Sequence, residues 1–285
     1  MKVAISGSTG FVGSKVASLF QLQGHEILPL RRPDFRLQPE ELAKKLSGSA
    51  VIIHLAGEPI LQRWTAANRR RIYNSRINTT SLLTESMRHM NPKPEVFICA
   101  SGVDIYPHEG VYTESAEEIA STFPGEVCRD WEREAAAARK TCRTLMFRFG
   151  VILGPDGGAL QKMLLPFRLG LGGKIASGKQ MMSWVHIEDV LGAMQYALQQ
   201  PQLEGPVNVC APGAVTNAEF SRILARTLHR PSFLPLPSFA LRMVFGEAAS
   251  LVTRGRTVVP EKLQFTGYPF RFPDLESALK DLLDH

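Results

Sequence analysis

The first residues whose types and spacing could do chemistry are three glycines in KVAISGSTGFVGSK, residues 2–15: Gly7, Gly10 and Gly13. Their spacing is G-x-x-G-x-x-G, one residue removed from the commoner G-x-G-x-x-G, so context must decide what they do. An apolar strand precedes the loop, a helical segment follows it, and the next strand arrives about twenty residues on, as a dinucleotide-binding unit requires. In that setting Gly7 permits the tight turn, Gly10 lets backbone approach a pyrophosphate, and Gly13 lets the helix pack close to the sheet. Thr9, Phe11 and Val12 complete the loop, and the helix N-terminus offers N–H groups and the positive end of its dipole to phosphates.

The end of the second strand, EILPLRRP (26–33), indicates which dinucleotide. An Asp or Glu there binds the ribose 2′-hydroxyl of NAD, whereas a basic residue accommodates the 2′-phosphate of NADP. Arg31 and Arg32 occupy the position and Asp34 lies beyond Pro33, so the expected cofactor is NADP rather than NAD.

With 285 residues, 44% of them apolar, the chain can fill a sizeable core as one large domain or two small ones. Cys99, Cys128, Cys142 and Cys210 form no C-x-x-C pair, which argues against zinc or a disulfide framework and for a reducing compartment. The seven histidines are dispersed without H-x-x-x-H, so no metal is expected. There is no apolar run of about 18 residues to cross a membrane, and Val3 to Ile5 is too short for a signal-peptide core. The expected location is the cytoplasm. A net charge of +6 raises nucleic acid as a partner, but apart from Arg69, Arg70 and Arg71 the basic residues are scattered, with no aromatic interleaving. The expected partner is a small-molecule substrate, with a homodimer as the further assembly, and neither nucleic acid nor membrane.

These residues need elements to position them. Short apolar runs at 2–6, 26–30, 50–55, 95–100, 143–149 and 206–210 alternate with helical periodicity at 11–23, 39–47, 65–89, 126–140 and 188–200. That alternation predicts an α/β fold, a Rossmann-type doubly wound parallel sheet covered by helices on both faces. After residue 210, helical segments near 216–229, 238–253 and 274–283 are separated by prolines. The expectation is a dinucleotide-binding domain over 1–155, completed by 184–212, with 156–183 and 213–285 forming a smaller C-terminal substrate lobe.

Several stretches, taken with the loop, resemble the extended short-chain dehydrogenases/reductases, the group containing nucleotide-sugar epimerases and dehydratases. VIIHLAGEP (51–59) is similar to their fourth-strand motif, RFGVILGP (148–155) to the junction with the substrate lobe, and WVHIEDV (184–190) to the return segment. VNVCAPGAVTNAEF (207–220) is similar to the last strand and the helix behind it. Within the group, SRINTTSLL, MLLPFRLGLGG and SWVHIEDV resemble the small branch of epimerase family proteins. The resemblance implies that the backbone of Leu55, Ala56 and Gly57 passes the adenosine and ribose, and that Arg76 and backbone near Ile152 contact NADP.

What the resemblance does not supply is the catalytic set. In the wider family a Tyr with a Lys four residues on, supported by a Ser or Thr, performs proton transfer. The matching helix, VCRDWEREA (127–135), puts Val127 and Trp131 at the Tyr and Lys positions. CASGVDIYP (99–107), matched through Tyr106, puts Gly102 at the hydroxyl position, with Ser101 one residue early. Ser101 and Tyr106 are therefore the candidate substitutes, Ser101 to hold the reacting oxygen and Tyr106 to act there or wall the site. Asp130 and Glu132 flank Trp131 and cannot both face a cleft. His186 and Asp189 read as a helix cap or a hinge. Glycines at both ends of LGPDGGALQKMLLPFRLGLGGK (153–174) suggest a mobile closing element, with Lys162 or Arg168 meeting an anionic substrate. The expected protein is an NADP(H)-dependent oxidoreductase or epimerase-like enzyme for a small polar or nucleotide-linked substrate. The alternative is a catalytically silent NADP-binding sensor or interaction protein.

Overall fold

The computed structural model describes residues 1–283. All six expected strands form one parallel sheet: β1 (Lys2–Ser6), β2 (Glu26–Leu30), β3 (Ser49–His54), β4 (Val96–Gly102), β5 (Arg143–Phe149) and β6 (Gly205–Val209). Their order is β6-β5-β4-β3-β1-β2, so the direction of winding reverses between β1 and β3. A crevice outside the carboxyl ends of the strands opens at such a reversal, which is where doubly wound folds bind ligands. VIIHLAGEP thus lies on the third strand of this sheet and not the fourth. Only a short 3₁₀ turn and α2 (Pro39–Leu46) fit between β2 and β3, leaving no chain for another strand.

The strands read as near-continuous apolar runs because both faces are covered. α1 (Phe11–Leu22) and α7 (Ile187–Gln199) pack on one face with Val3, Ile5, Val51, Ile53, Ile98 and Phe147. On the other, α2, α4 (Ile77–His89) and α5 (Phe123–Ala136) bury Ala4, Ile52, Phe97 and Met146. The first core continues into α8 (Asn217–Thr227) and α12 (Leu275–Leu283) through Phe220, Leu224 and Leu279, so the end of the chain shares a core with the sheet. Smaller pairings tie on the rest: Val151–Gly154 with Trp184–His186, Met181–Met182 with Val215–Thr216, and Val111–Tyr112 with Thr257–Val258.

Three expected helices divide or shift. The segment 65–89 breaks at Ser75 and Arg76 into α3 (Ala66–Asn74) and α4. The helix expected from 126 begins at Phe123, because Thr122 accepts a hydrogen bond from Gly125 N–H and caps it. The segment 238–253 gives α9 (Ser238–Phe245) and stops where Gly246 takes φ +61°, a conformation side chains disfavour. At the start of α7, His186 Nδ1 accepts Glu188 N–H at 3.1 Å as its cap. Asp189 on the same helix accepts the backbone N–H groups of Arg271 and Phe272 at 2.8 and 2.9 Å, joining the sheet to the C-terminal segment.

The carboxyl ends of β1 and β3 are joined by Ser6 Oγ, 2.5 Å from His54 Nδ1, and that oxygen also accepts the N–H groups of Leu55 and Ala56. Complete burial, with the Arg76 cation adding to it, pushes the His54 pKa from 6.5 down to about 3. The unfolded chain therefore binds a proton below pH 6.5 that the folded chain refuses, so stability is lost as pH falls through that window. His186, also pushed down to about 4, acts in the same direction. We expect His54→Gln to make the acid slope of unfolding free energy shallower by up to about 1.4 kcal/mol per pH unit without abolishing it. Urea denaturation at pH values between about 6.5 and 4.5 reads this out, and an unaltered slope would refute the assignment.

Candidate functional site

The β1–α1 loop is a cradle built from close approaches. Gly7 has φ +72°, and a Cβ there would stand 2.9 Å from the backbone of Leu55 and Ala56. A Cβ on Gly13 would collide with the carbonyl of Gly7, so α1 seats directly on the loop. Gly10 differs: its N–H donates to Gly7 O at 2.9 Å, and a Cβ there would meet only that oxygen, at 3.2 Å. The open side of Gly10 faces away from the protein, as backbone that must lie against a ligand requires. α1 has no side-chain cap and no acidic residue in its first turn, so the N–H groups following Gly10 await an acceptor. Thr9 and Gly10 are exposed, and Phe11 and Val12 are partly so. The Phe11 ring turns away from the loop into the turn at 154–158, where a Cβ on Gly154 or Gly157 would lie 2.5 Å from the ring.

At the far end of the crevice, Arg31 and Arg32 are both exposed. The Arg32 guanidinium, 93% exposed, touches Glu58 at 3.3 Å. Asp34 turns back into the protein: its carboxylate accepts Arg31 N–H at 2.7 Å and Lys45 Nζ at 2.5 Å. Burial pushes its pKa up, but the Lys45 bond and the Arg31 N–H overcome this and hold the carboxyl below its ordinary range. Two exposed cations, one of them touching Glu58, and a carboxylate turned back onto Lys45 make this end electropositive.

Arg76 is half-buried. It sits at the break between α3 and α4, and its guanidinium lies under Gly57, where a Cβ would come within 3.0 Å of Arg76 Cζ. Its other partners are Ile72 O, at 3.1 Å from Nη1, and the face of Trp131, 5.1 Å from Cζ to ring centre. Among the described residues no carboxylate stands within 4.0 Å of it. Burial lowers its pKa. A desolvated cation with one carbonyl and a ring for company favours an anion beside it.

The two residues that the resemblance sets at the family's Tyr and Lys positions are packing groups. Val127 and Trp131 are buried in the core beneath α5, and Trp131 Nε1 donates to Thr80 Oγ1 at 2.8 Å. The candidate substitutes are engaged elsewhere. Ser101 Oγ donates to Glu132 Oε1 at 2.7 Å, and Glu132 is held in turn by two N–H groups of Arg148 at 2.8 and 2.7 Å. Arg148 Nη1 also donates to Tyr106 OH at 2.7 Å, and that hydroxyl donates to Asn208 Oδ1 at 2.8 Å. Burial raises the Tyr106 pKa against the opposing pull of Arg148. Side chains alternate along a strand, so Ser101 faces this network while Gly102 presents the other side of β4. Tyr106 lines a separate cavity of about 440 Å³ with Glu132 and Arg148, and neither it nor Ser101 lines the cavity between Phe11, Ile152 and Asp104 at the sheet edge. Asp130 and Glu132 do point apart, Asp130 toward Tyr73 OH at 3.0 Å.

That cavity, of about 380 Å³, lies between Phe11 and Ile152 on one side and residues 175–183 and 251–256 on the other. Its lining is mostly apolar, with Asp104, Gln180, Ser183, Asn217, Arg254 and Arg256 as polar points. Asp104, its one acidic lining residue, is fixed by Arg256 Nη1 at 2.7 Å, and Arg256 also donates to Val103 O and Pro107 O. Neither residue was legible beforehand: nothing local in GVDIYP or TRGRT shows that a buried arginine returns from the end of the chain. On α6 (Gly158–Arg168) it is Ala159 and Met163 that line the cavity, while Lys162 and Arg168 are exposed. The glycines framing α6 are sites of contact with Phe11, Phe167 and Leu234 O, which gives them a packing reason in place of a hinge. A second cavity of about 550 Å³ shares Arg254 and adds Arg69, Arg242 and His108. The described residues contain no metal-binding cluster of His, Cys, Asp or Glu.

Comparison with known proteins accords with this geometry. Residues 236–282 match a domain of unknown function, DUF1731, and residues 3–210 match the NAD dependent epimerase/dehydratase family. The chain is 39% identical over 292 residues to the epimerase family protein SDR39U1 of Mus musculus, covering 99% of this chain and 100% of that one. It is 34% identical to the epimerase family protein YfhF of Bacillus subtilis, covering 99% and 98%. The crystal structure of human SDR39U1 (isoform 2) with NADPH superimposes with a TM-score of 0.92 at 35% identity over the whole of both chains. A Bacillus cereus UDP-glucuronic acid 4-epimerase, at 17% identity and TM-score 0.81, shares the fold. By its sequence over most of its length, the chain belongs to the NAD dependent epimerase/dehydratase family.

Proposed function

We propose that this protein binds NADP(H) across the β1/β3 crevice and acts as an oxidoreductase or epimerase-like enzyme on a small polar or nucleotide-linked substrate. The observation that carries the reading is Arg76, a half-buried guanidinium without a carboxylate partner among the described residues, set beside an open glycine cradle. The NADPH held by the human relative supports it. In this reading Gly7 and Gly13 shape the cradle, while Gly10 and the N–H groups of Phe11 and Val12, with Thr9 beside them, meet the pyrophosphate. Leu55, Ala56 and Gly57 offer backbone to the adenosine ribose, Arg31 and Arg32 take the 2′-phosphate, and Ile152 offers backbone at the cavity. When bound, NADP(H) supplies the hydride. The substrate lies in the 380 Å³ cavity against Asp104, and Arg254, which lines both this cavity and its neighbour, suits an anionic end.

A second reading, cofactor binding without turnover, is favoured by Val127, Trp131 and Gly102 at the three usual catalytic positions. Titration with NADPH, followed by a screen of nucleotide sugars and small carbonyl compounds for NADPH oxidation, separates the two. Tight binding with turnover supports the enzyme; tight binding with none across the screen supports the sensor.

Replacing Arg31 and Arg32 together with Ala is expected to weaken NADP far more than NAD, by about 1.5 to 3 kcal/mol for each charged hydrogen bond lost. Calorimetric titration of both cofactors checks this, and equal affinities in the unaltered protein would sink the assignment to NADP.

Arg76→Met separates binding from folding. Removing a desolvated charge leaves the melting temperature of the free protein unchanged or higher, while NADPH affinity falls by about tenfold or more. A drop in free-protein melting temperature with cofactor affinity intact would make Arg76 a structural residue instead.

A further inference from the structure

Two stretches of the chain carry cations and no carboxylate: residues 157–187 and 220–246. The fold lays them side by side. Ala176 N–H donates to Leu236 O and Leu236 N–H to Lys174 O, both at 2.9 Å, and the backbone at Gly173 passes against Leu234. Large apolar side chains stand on this seam. α6 and its exit expose Leu165, Leu169 and Leu171, and the second stretch exposes Phe233, Leu234, Leu236, Phe239, Met243 and Val244, all between 41 and 73%. α9 has eight residues and buries none, whereas α2, of the same length, buries three. A helix of that kind gains nothing from its own core and leaves its apolar side to a partner.

The charge around the patch selects the partner. Lys162, Arg168, Lys174, Lys179, Arg230 and Arg242 are exposed, and none has a carboxylate within 4.0 Å among the described residues. A second copy of the chain would set this ring of cations against its own equal, so self-association through the patch is opposed. Ala240, Leu241 and Phe245 of α9 are half-buried while Phe239, Met243 and Val244 stand out from it, so the helix offers a raised apolar face and not a groove for a peptide. A surface that is apolar inside and anionic at its rim matches both features.

We propose that the face formed by α6, residues 169–176 and 231–245 is a peripheral docking surface for an anionic phospholipid bilayer, with the apolar side chains entering the headgroup layer and the six cations meeting lipid phosphates. No helix among the described residues is long and apolar enough to cross a membrane, so the contact is with one leaflet. This docking is independent of what the crevice binds.

Flotation of the full-length protein with vesicles tests it, using phosphatidylcholine alone and phosphatidylcholine with about 30 mol % phosphatidylglycerol. The protein floats with the anionic vesicles at about 0.1 M salt, is released at about 0.5 M, and ignores the neutral ones. Phe239→Ser with Met243→Ser lowers vesicle affinity at least tenfold, and so does Arg168→Glu with Arg230→Glu. Melting temperature and NADPH titration stay unchanged in both pairs, which excludes misfolding and keeps the result separate from the cofactor reading. Failure to float with anionic vesicles, equal flotation with neutral ones, or indifference to either pair of substitutions overturns the proposal. A concentration-dependent dimer in sedimentation velocity that the Phe239→Ser, Met243→Ser pair abolishes overturns it as well.

Discussion

Everything at the carboxyl edge of the sheet depends on how closely the β1–α1 loop approaches the end of β3. The approach is possible only because Gly7 has no side chain where Leu55 and Ala56 pass at 2.9 Å, and because Ser6 satisfies their N–H groups on the spot. His54, buried and kept neutral, completes that bond set without bringing a charge into the core. With the two strand ends locked together, the first turn of α1 points its unused N–H groups into the crevice, and Gly57 is brought down onto Arg76. A side chain at Gly7 would separate the strands and displace all of these groups together.

The second constraint is the buried ion pair between Glu132 and Arg148, each less than a tenth exposed. A pair taken out of water must have its remaining donors and acceptors filled, or its desolvation outweighs its attraction. Ser101, Tyr106 and, through it, Asn208 fill them. The hydroxyls that look catalytic in sequence are therefore consumed in satisfying a charge pair, and the cavity keeps Asp104 as its acidic group. Asp104 is itself held by an arginine from near the end of the chain, so the lining of the cavity depends on how the last third folds back.

Much of this was legible in sequence. Local patterns were enough for the six strands, the glycine loop and the electropositive end of β2, since apolar runs, glycine spacing and charge at a strand end all act over a few residues. What sequence hid was long-range. The break at Ser75 and Arg76 carries no glycine or proline to announce it, and the approach of the Arg76 guanidinium to Gly57 appears only in the fold. Glycines around α6 looked like hinges because sequence shows their freedom and not their neighbours; the Phe11 ring and Leu234 O supply the missing reason. Ser101 stands at the strand end expected of it, and its bond to Glu132 was hidden because the partner lies 31 residues on along the chain.

Arg76 and Trp131 act as a unit that explains how a cofactor crevice can persist beside an altered catalytic helix. Trp131, which the resemblance sets at the lysine position of the wider family, has its ring beneath the guanidinium of Arg76, supplied by the break between α3 and α4. A cation is thus present beside the crevice, delivered from a different helix. The two cations are not equivalent in chemistry: an amine can be deprotonated when desolvated, but a guanidinium keeps its proton under protein conditions. Burial lowers the Arg76 pKa from so high a starting value that the group stays charged. It can hold an anion in place and cannot relay a proton, so this arrangement favours anion binding over acid–base chemistry at that position.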